Sequence, residues 1–355
     1  MKVLYAIQGT GNGHISRARE VVPILQEYCH CDILISGTQA DITPGFPVKY
    51  RMKGLSFIFG KSGGIDLWNT TVKADLINLQ REIEALPVER YDFVINDFEP
   101  VSARACALKN IPCISLSHQA AVVDEKAPIP TKSDYVGQYI LKNYAPAKIQ
   151  FGFHFKAYNR NIYTPVIRSA VRELLPDEAG YYTVYLPSYD EKKLISALSH
   201  FDNVKWHVFS KHSRNASQHG HIKIFPVSGN LFSDDMARSN GVLCGAGFET
   251  PAEALFLKKK LMVVPMKGQY EQQCNATALA GMGVPVIKSL KKKHFDSIAQ
   301  WLESDRKVEV SYPDTTRLVI RKVFEAAISQ LVFQSQLQHV VLGRPRLEKR
   351  FAGYS

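Results

Sequence analysis

Short apolar runs alternate with helical patterns along this chain, and they do so in two separate series. In the first, VLYAI (3–7), a helical pattern over 15–28, CDILIS (31–36), YDFVIND (91–97), a helical pattern over 101–109 and PCISLS (112–117) follow one another. Apolar strands separated by helices bury both their faces in a parallel sheet covered by helices on each side. The rhythm restarts with YYTVYLP (181–187) and continues through VKWHVFS (204–210), IKIFPV (222–227), GVLCG (241–245) and KLMVVP (260–265), with helical patterns over 191–199 and 250–257. Two doubly wound α/β lobes are therefore expected, and a chain of 355 residues suits two domains of roughly 150 residues each. The stretch 143–176 is irregular and aromatic, so the expected division is a first lobe at 1–155, a linker at 156–178 and a second lobe at 179–331. A helix over 315–331 closes the folded body, and 332–355 reads as a basic tail that is either disordered or in contact with a membrane surface.

Composition excludes several classes. At 45% hydrophobic and 22% charged residues the chain has ample material for two cores, which excludes disorder of the whole. Its six cysteines, Cys29, Cys31, Cys106, Cys113, Cys244 and Cys274, show neither a CxxC pair nor zinc-like spacing, so no metal site is expected and the thiols read as small apolar residues in a reducing compartment. The N-terminal MKVLYAIQGTGNGH reads as a buried strand rather than a signal peptide, and the greasiest long segment, 326–342, is interrupted by Ser329, Gln330, Gln334, Ser335, Gln336, Gln338 and His339. A cytoplasmic protein is expected. A formal charge of +11, concentrated in part at Lys258, Lys259, Lys260 and Lys291, Lys292, Lys293, favours an anionic partner. By charge alone nucleic acid, anionic lipid and nucleotide all qualify, and so does a solvated lysine face with no partner.

The first strand runs into Gly9-Thr10-Gly11-Asn12-Gly13-His14, which opens a helix. Ligands of open α/β sheets bind at the carboxyl ends of strands, and a helix N-terminus there favours an anion. The spacing departs from GxGxxG because His14 takes the sixth place, and no GK followed by Ser or Thr is present, so neither a dinucleotide fingerprint nor a Walker A loop is read. His14 has the residue chemistry of a general base near neutral pH; donating to an acceptor phosphate and capping the helix are the other two roles open to it. Asp97 ends a strand of the same lobe and has three readings: orienting His14, acting as base, or capping the helix that follows, the last being the commonest role for Asp at such a place.

In the second lobe GAGFETPAEAL (245–255) leaves a strand on a glycine turn and opens a helix carrying Glu253 one turn in. A carboxylate there can accept from both hydroxyls of a ribose while a diphosphate sits at the helix N-terminus. After the next strand, GQYEQQCNA (268–276) brings amide side chains that donate to and accept from sugar hydroxyls.

With these segments and DFEPVSARACALKNIPCISLSHQ (97–119), the chain resembles the GT-B glycosyltransferases, and within them the group of the lipid II N-acetylglucosaminyltransferases and plant galactolipid synthases. The resemblance covers nearly the whole chain and implies two Rossmann-like lobes with a cleft between them. It further implies transfer of a hexose from a nucleoside-diphosphate sugar, UDP-linked by preference, to an acceptor hydroxyl, with inversion and without metal or other cofactor, the donor being a co-substrate. Residue by residue it implies donor contacts from Ser188, Phe225, Gly245, Gly247, Phe248, Thr250, Glu253, Gln272 and Gln273. The loop of Gly11, Asn12, Gly13 and His14, together with His118, faces the acceptor, with His14 and Asp97 as the catalytic pair. Nucleic acid is not an expected partner. A glycolipid or lipid-linked acceptor and peripheral contact with the inner face of the cytoplasmic membrane are. A UDP-sugar 2-epimerase on the same fold and a non-catalytic nucleotide-sugar binder stand as alternatives.

Overall fold

The computed structural model describes residues 1–37, 43–55, 59–60, 64–65, 76–131 and 134–342. In chain order its strands are β1 (Lys2–Gln8), β2 (His30–Ser36), β3 (Tyr50–Met52), the two-residue β4 (Phe59–Gly60) and β5 (Gly64–Ile65), β6 (Phe93–Asp97), β7 (Cys113–Ser117), β8 (Ile149–Phe153) and β9 (Ile162–Tyr163). They continue with β10 (Tyr181–Tyr185), β11 (Lys205–Ser210), β12 (Ser217–His219), β13 (Ile222–Pro226), β14 (Gly241–Gly245) and β15 (Lys260–Val264). Among the described residues one parallel sheet runs β3-β2-β1-β6-β7-β8-β9 and a second runs β12-β13-β11-β10-β14-β15, parallel except for the hairpin of β12 with β13.

Each sheet has a switch point where the winding reverses, between β1 and β6 in the first and between β10 and β14 in the second. In open sheets of this kind the crevice for a ligand lies there. The register pairs Ile7 with Asp97, so the loop after β1 and the turn after β6 emerge side by side.

Burial explains the readable strands. Val3, Leu4, Tyr5, Ala6 and Ile7 are all buried, as a strand covered on both faces must be. The helix Asn12–Tyr28 presents Ile15, Ala18, Val21, Val22 and Leu25 to the core at helical spacing.

Several elements depart from expectation. The stretch expected as linker carries β9, which extends the first sheet beside β8, and the short helix Ser169–Arg172. The closing helix runs Thr316–Leu342, and its stripe of Val319, Val323, Phe324 and Ala327 packs on the first lobe, with Phe324 against Tyr28 (5.4 Å between centroids) and Phe93 (5.3 Å). The part of the basic tail at 343–355 lies outside the described residues. No helix among the described residues is long and apolar enough to cross a membrane.

The two lysine runs also separate. Lys259 and Lys260 are buried: Lys260 Nζ donates to the Tyr182 hydroxyl (2.9 Å) and the Leu302 carbonyl (2.8 Å), and Lys259 Nζ to the Asp177 carbonyl (2.6 Å). Two lysines of that run are therefore packing and Lys258 is exposed, whereas Lys291, Lys292 and Lys293 are all exposed.

Candidate active site

The two switch points face each other across a cavity of about 440 Å³. From the first lobe it is lined by the loop through Gly11, Asn12, Gly13 and His14 and by Arg17, His118 and Gln119; from the second by Ser188, Gly247, Phe248, Thr250, Glu253 and Gln272. Phe225, Gly245 and Gln273 do not line it. Phe225 packs on His207 and Phe209 (5.3 and 5.5 Å between centroids), and Gly245 lies beneath Gln272, whose Oε1 would sit 3.8 Å from a Cβ there.

Two glycines of the front loop have distinct physical reasons. Gly11 has φ 86°, a conformation side-chain-bearing residues rarely adopt. Gly13 lies against the opposite lobe, where a Cβ would stand 2.6 Å from Glu249 Oε2.

His14 Nδ1 lies 2.9 Å from Asp97 Oδ1, so of the three readings of Asp97 the orienting contact is the one formed. Asp97 does not cap the next helix. That role falls to Glu99, whose carboxylate accepts from the N–H groups of Val101 (2.8 Å) and Ser102 (2.6 Å). Between them Phe98 has φ 57°, unusual for a bulky residue, and this left-handed turn lets Asp97 face His14 while Glu99 faces the helix.

Sequence reasoning missed Arg17. Its Nη2 donates to both Asp97 oxygens (2.7 and 2.9 Å), and its Nη1 crosses the cleft to Glu249 Oε1 (2.5 Å). Burial works to raise the Asp97 pKa, but the Arg17 guanidinium and then His14 outweigh it and hold the carboxyl below the ordinary aspartate range. Arg17 itself is raised despite its burial by Asp97 and Glu249. It lies three residues after His14 on the helix, and that i, i+3 spacing was the available signal.

Three further contacts close the cleft. Arg168 holds the buried Glu253 in a bidentate pair, Nε to Oε1 at 2.5 Å and Nη2 to Oε2 at 2.7 Å. Burial pushes Glu253 above the usual glutamate range, and Arg168 offsets this in part. Gln119 Nε2 donates to Glu271 Oε2 (3.0 Å) and lies 3.3 Å from His14 Nε2. His118 stacks on Phe248 at 3.9 Å and 6°, with Nε2 2.8 Å from Asn275 Oδ1. His118 and Phe248, expected on opposite substrates, thus also hold the lobes together.

A smaller cavity of about 130 Å³ adjoins the first and shares His14, Gln119 and Glu271 with it. Its walls are largely apolar, with Phe98, Val136, Ile140, Leu141 and Tyr270. Outside it the helix Tyr135–Asn143 exposes Tyr135 (78%) and Tyr139 (71%).

Two Rossmann-like sheets whose switch points meet across a cleft define the GT-B architecture, the fold of the glycosyltransferases that this structure resembles. Residues 1–304 match glycosyl transferase family 1, and the chain belongs to that family. Among solved structures it is similar to a MurG from Acinetobacter baumannii, at 13% identity over 86% of this chain and 91% of that one, with a TM-score of 0.53. It is similar at 14% identity and 0.54 to the spinosyn rhamnosyltransferase SpnG, over 93% and 95% of the two chains. A Phytolacca americana UGT2, solved with UDP-2-fluoro-glucose and pterostilbene, matches at 13% identity and 0.54 over 92% and 94%. No curated protein matches the chain.

Proposed function

We propose that this glycosyltransferase moves a sugar from a UDP-sugar to an acceptor hydroxyl by direct displacement, inverting the anomeric carbon. One observation carries the reading: the His14–Asp97 pair of the first lobe and the start of the helix Glu249–Phe256 of the second line or underlie a single cavity. The UDP-2-fluoro-glucose bound by the Phytolacca enzyme supports UDP as the carrier. Glu253 takes the ribose: a carboxylate has about four acceptor positions, and Arg168 uses two of them. The diphosphate lies beside Lys211 and the first-turn N–H groups of Glu249–Phe256, which stabilise charge as it develops on the leaving group, while Arg17 behind them is engaged by Asp97 and Glu249. No metal or other cofactor takes part.

In the proposed step the acceptor oxygen bonds to the anomeric carbon, its proton passes to His14 Nε2, and the diphosphate leaves with the electrons of the broken C–O bond. Asp97, kept ionised by Arg17, stabilises the imidazolium that forms. The apolar cavity beside His14 and the exposed tyrosines around it suit an acceptor with an apolar body, a glycolipid or lipid-linked molecule reached at a membrane surface.

Thermal unfolding against UDP-, GDP-, ADP- and dTDP-sugars tests the donor, because a ligand that binds only the native state raises stability by mass action. Stabilisation of the wild type by the UDP series, lost in Glu253→Gln, is expected, with UDP released on adding acceptor. No shift with any series at millimolar concentration sinks the donor reading; interconversion of free nucleotide sugars without acceptor makes the chain an epimerase instead.

A further inference from the structure

The second lobe carries a different and larger cavity, of about 1240 Å³, which meets the cleft only at Ser188 and Met266. Seven lysines line it: Lys192 and Lys193 from the helix Glu191–Leu198, Lys267 from the turn after β15, and four between 288 and 293. No aspartate or glutamate lines it. Among the described residues only Lys193 of the seven has a carboxylate in ion-pair range, Asp190 at 2.9 Å. Next to the cavity, desolvation first and then Lys293 and Lys288 hold His294 below the ordinary histidine range. The contrast with Lys259 and Lys260, both consumed by carbonyl and hydroxyl partners, is direct.

Like charges gathered in one concavity repel, and a multivalent anion relieves that repulsion at each lysine it meets. Serines 188, 196, 199 and 289 add hydroxyl donors, which suit phosphate oxygens. A concave site does not fit a flat membrane. Single-stranded nucleic acid wants a succession of aromatic platforms for its bases, and of the three rings here Phe295 is buried, Tyr189 is half-buried and only His200 is exposed. We propose that this basin binds a soluble anion of several linked phosphate groups, an oligophosphate, at a site separate from the donor cleft.

Calorimetric titration with inorganic tripolyphosphate tests this, using the wild type and the triple variant Lys288→Glu, Lys291→Glu, Lys292→Glu. The wild type is expected to bind, with affinity falling roughly tenfold or more between 50 and 200 mM salt as screening grows. The variant should bind roughly thirtyfold more weakly, with thermal unfolding and UDP binding as in the wild type. If charge reversal disturbs folding, Gln at the same three positions preserves the polar surface and should still weaken binding. Undiminished binding by the variant, one-for-one displacement of tripolyphosphate by UDP, or no binding by the wild type overturns the proposal. So does capture of phosphatidylglycerol vesicles, lost in the variant, when tripolyphosphate itself does not bind.

Discussion

Arg17 decides how Asp97 behaves, and through it what His14 can do. A buried carboxylate without a cation would take up a proton; with Arg17 on both its oxygens Asp97 keeps its charge behind the imidazole. If His14 is the base, His14→Ala should lower kcat by about 10²–10⁴-fold, the usual worth of general base catalysis, while UDP affinity measured by titration stays within about twofold. Loss of UDP affinity with little change in kcat would assign His14 to phosphate binding. Arg17→Met should cost about 3–5 kcal/mol in urea unfolding, since it strands a buried charge, and the double variant with Asp97→Asn should recover much of that loss. His14 and Asp97 were legible because His14 opens the helix that follows the glycine loop after β1, and Asp97 ends β6 beside a turn. Arg17 was not, because an arginine in a helix ordinarily reads as solvent-facing; only its spacing from His14 and its neighbours Ala18 and Val21 on the buried face mark it. Asp97 and Glu99 were confusable for a similar reason: either acid can reach the helix start, and the left-handed turn at Phe98 that separates their roles leaves no sequence pattern.

At the scale of elements, strands buried on both faces announce themselves as apolar runs, which is why β1, β6, β10, β14 and β15 could be read directly. The edge strands β3, β9 and β12 have two or three residues each, too few for a period, and their pairing is imposed by the sheet beside them. The helix Thr316–Leu342 was foreseen in part, but its docking was not, because its apolar stripe fits either lobe equally well as a pattern. Its seat on the first lobe ties that lobe to a segment that follows the second in sequence, with Arg317 paired to Glu27 at its start. Phe324→Ala removes the ring that meets Tyr28 and Phe93 and should cost about 3–5 kcal/mol, the range for a large aromatic truncated in a core. Urea unfolding followed by tryptophan fluorescence checks it. All three tryptophans, Trp68, Trp206 and Trp301, lie outside the helix, and a lowered midpoint that persists when Trp68 is replaced by Phe would also show that the lobes unfold as one unit.

Across the whole molecule the seam between lobes carries an acid-sensitive element. His118 and His154 lie there, their rings 5.3 Å apart and both near Phe248. Burial, reinforced by His154, holds His118 well below the histidine range, and burial alone brings His154 to about 4. The Nδ1 of His154 accepts from the Phe155 N–H (2.9 Å), so the neutral ring carries its proton on the buried, unpartnered Nε2, and a second proton must go to Nδ1, where it meets an N–H instead of an acceptor. The unfolded chain binds protons at these histidines from about pH 6.5 downward, whereas folded His154 does so only near pH 4. Stability must therefore fall as pH falls through that window, by an amount on the order of 3 kcal/mol for His154. Asp97 acts in a lower window: its depressed pKa contributes stability above the ordinary aspartate value that is lost only as pH falls below it. The two are separable by unfolding curves taken from pH 7 to pH 3. His154→Phe should flatten the slope between pH 6.5 and 4 by its share and leave the steeper loss below pH 4 in place. A slope between pH 6.5 and 4 that is unchanged in the variant would place the titrating group elsewhere, with His118 next to be replaced.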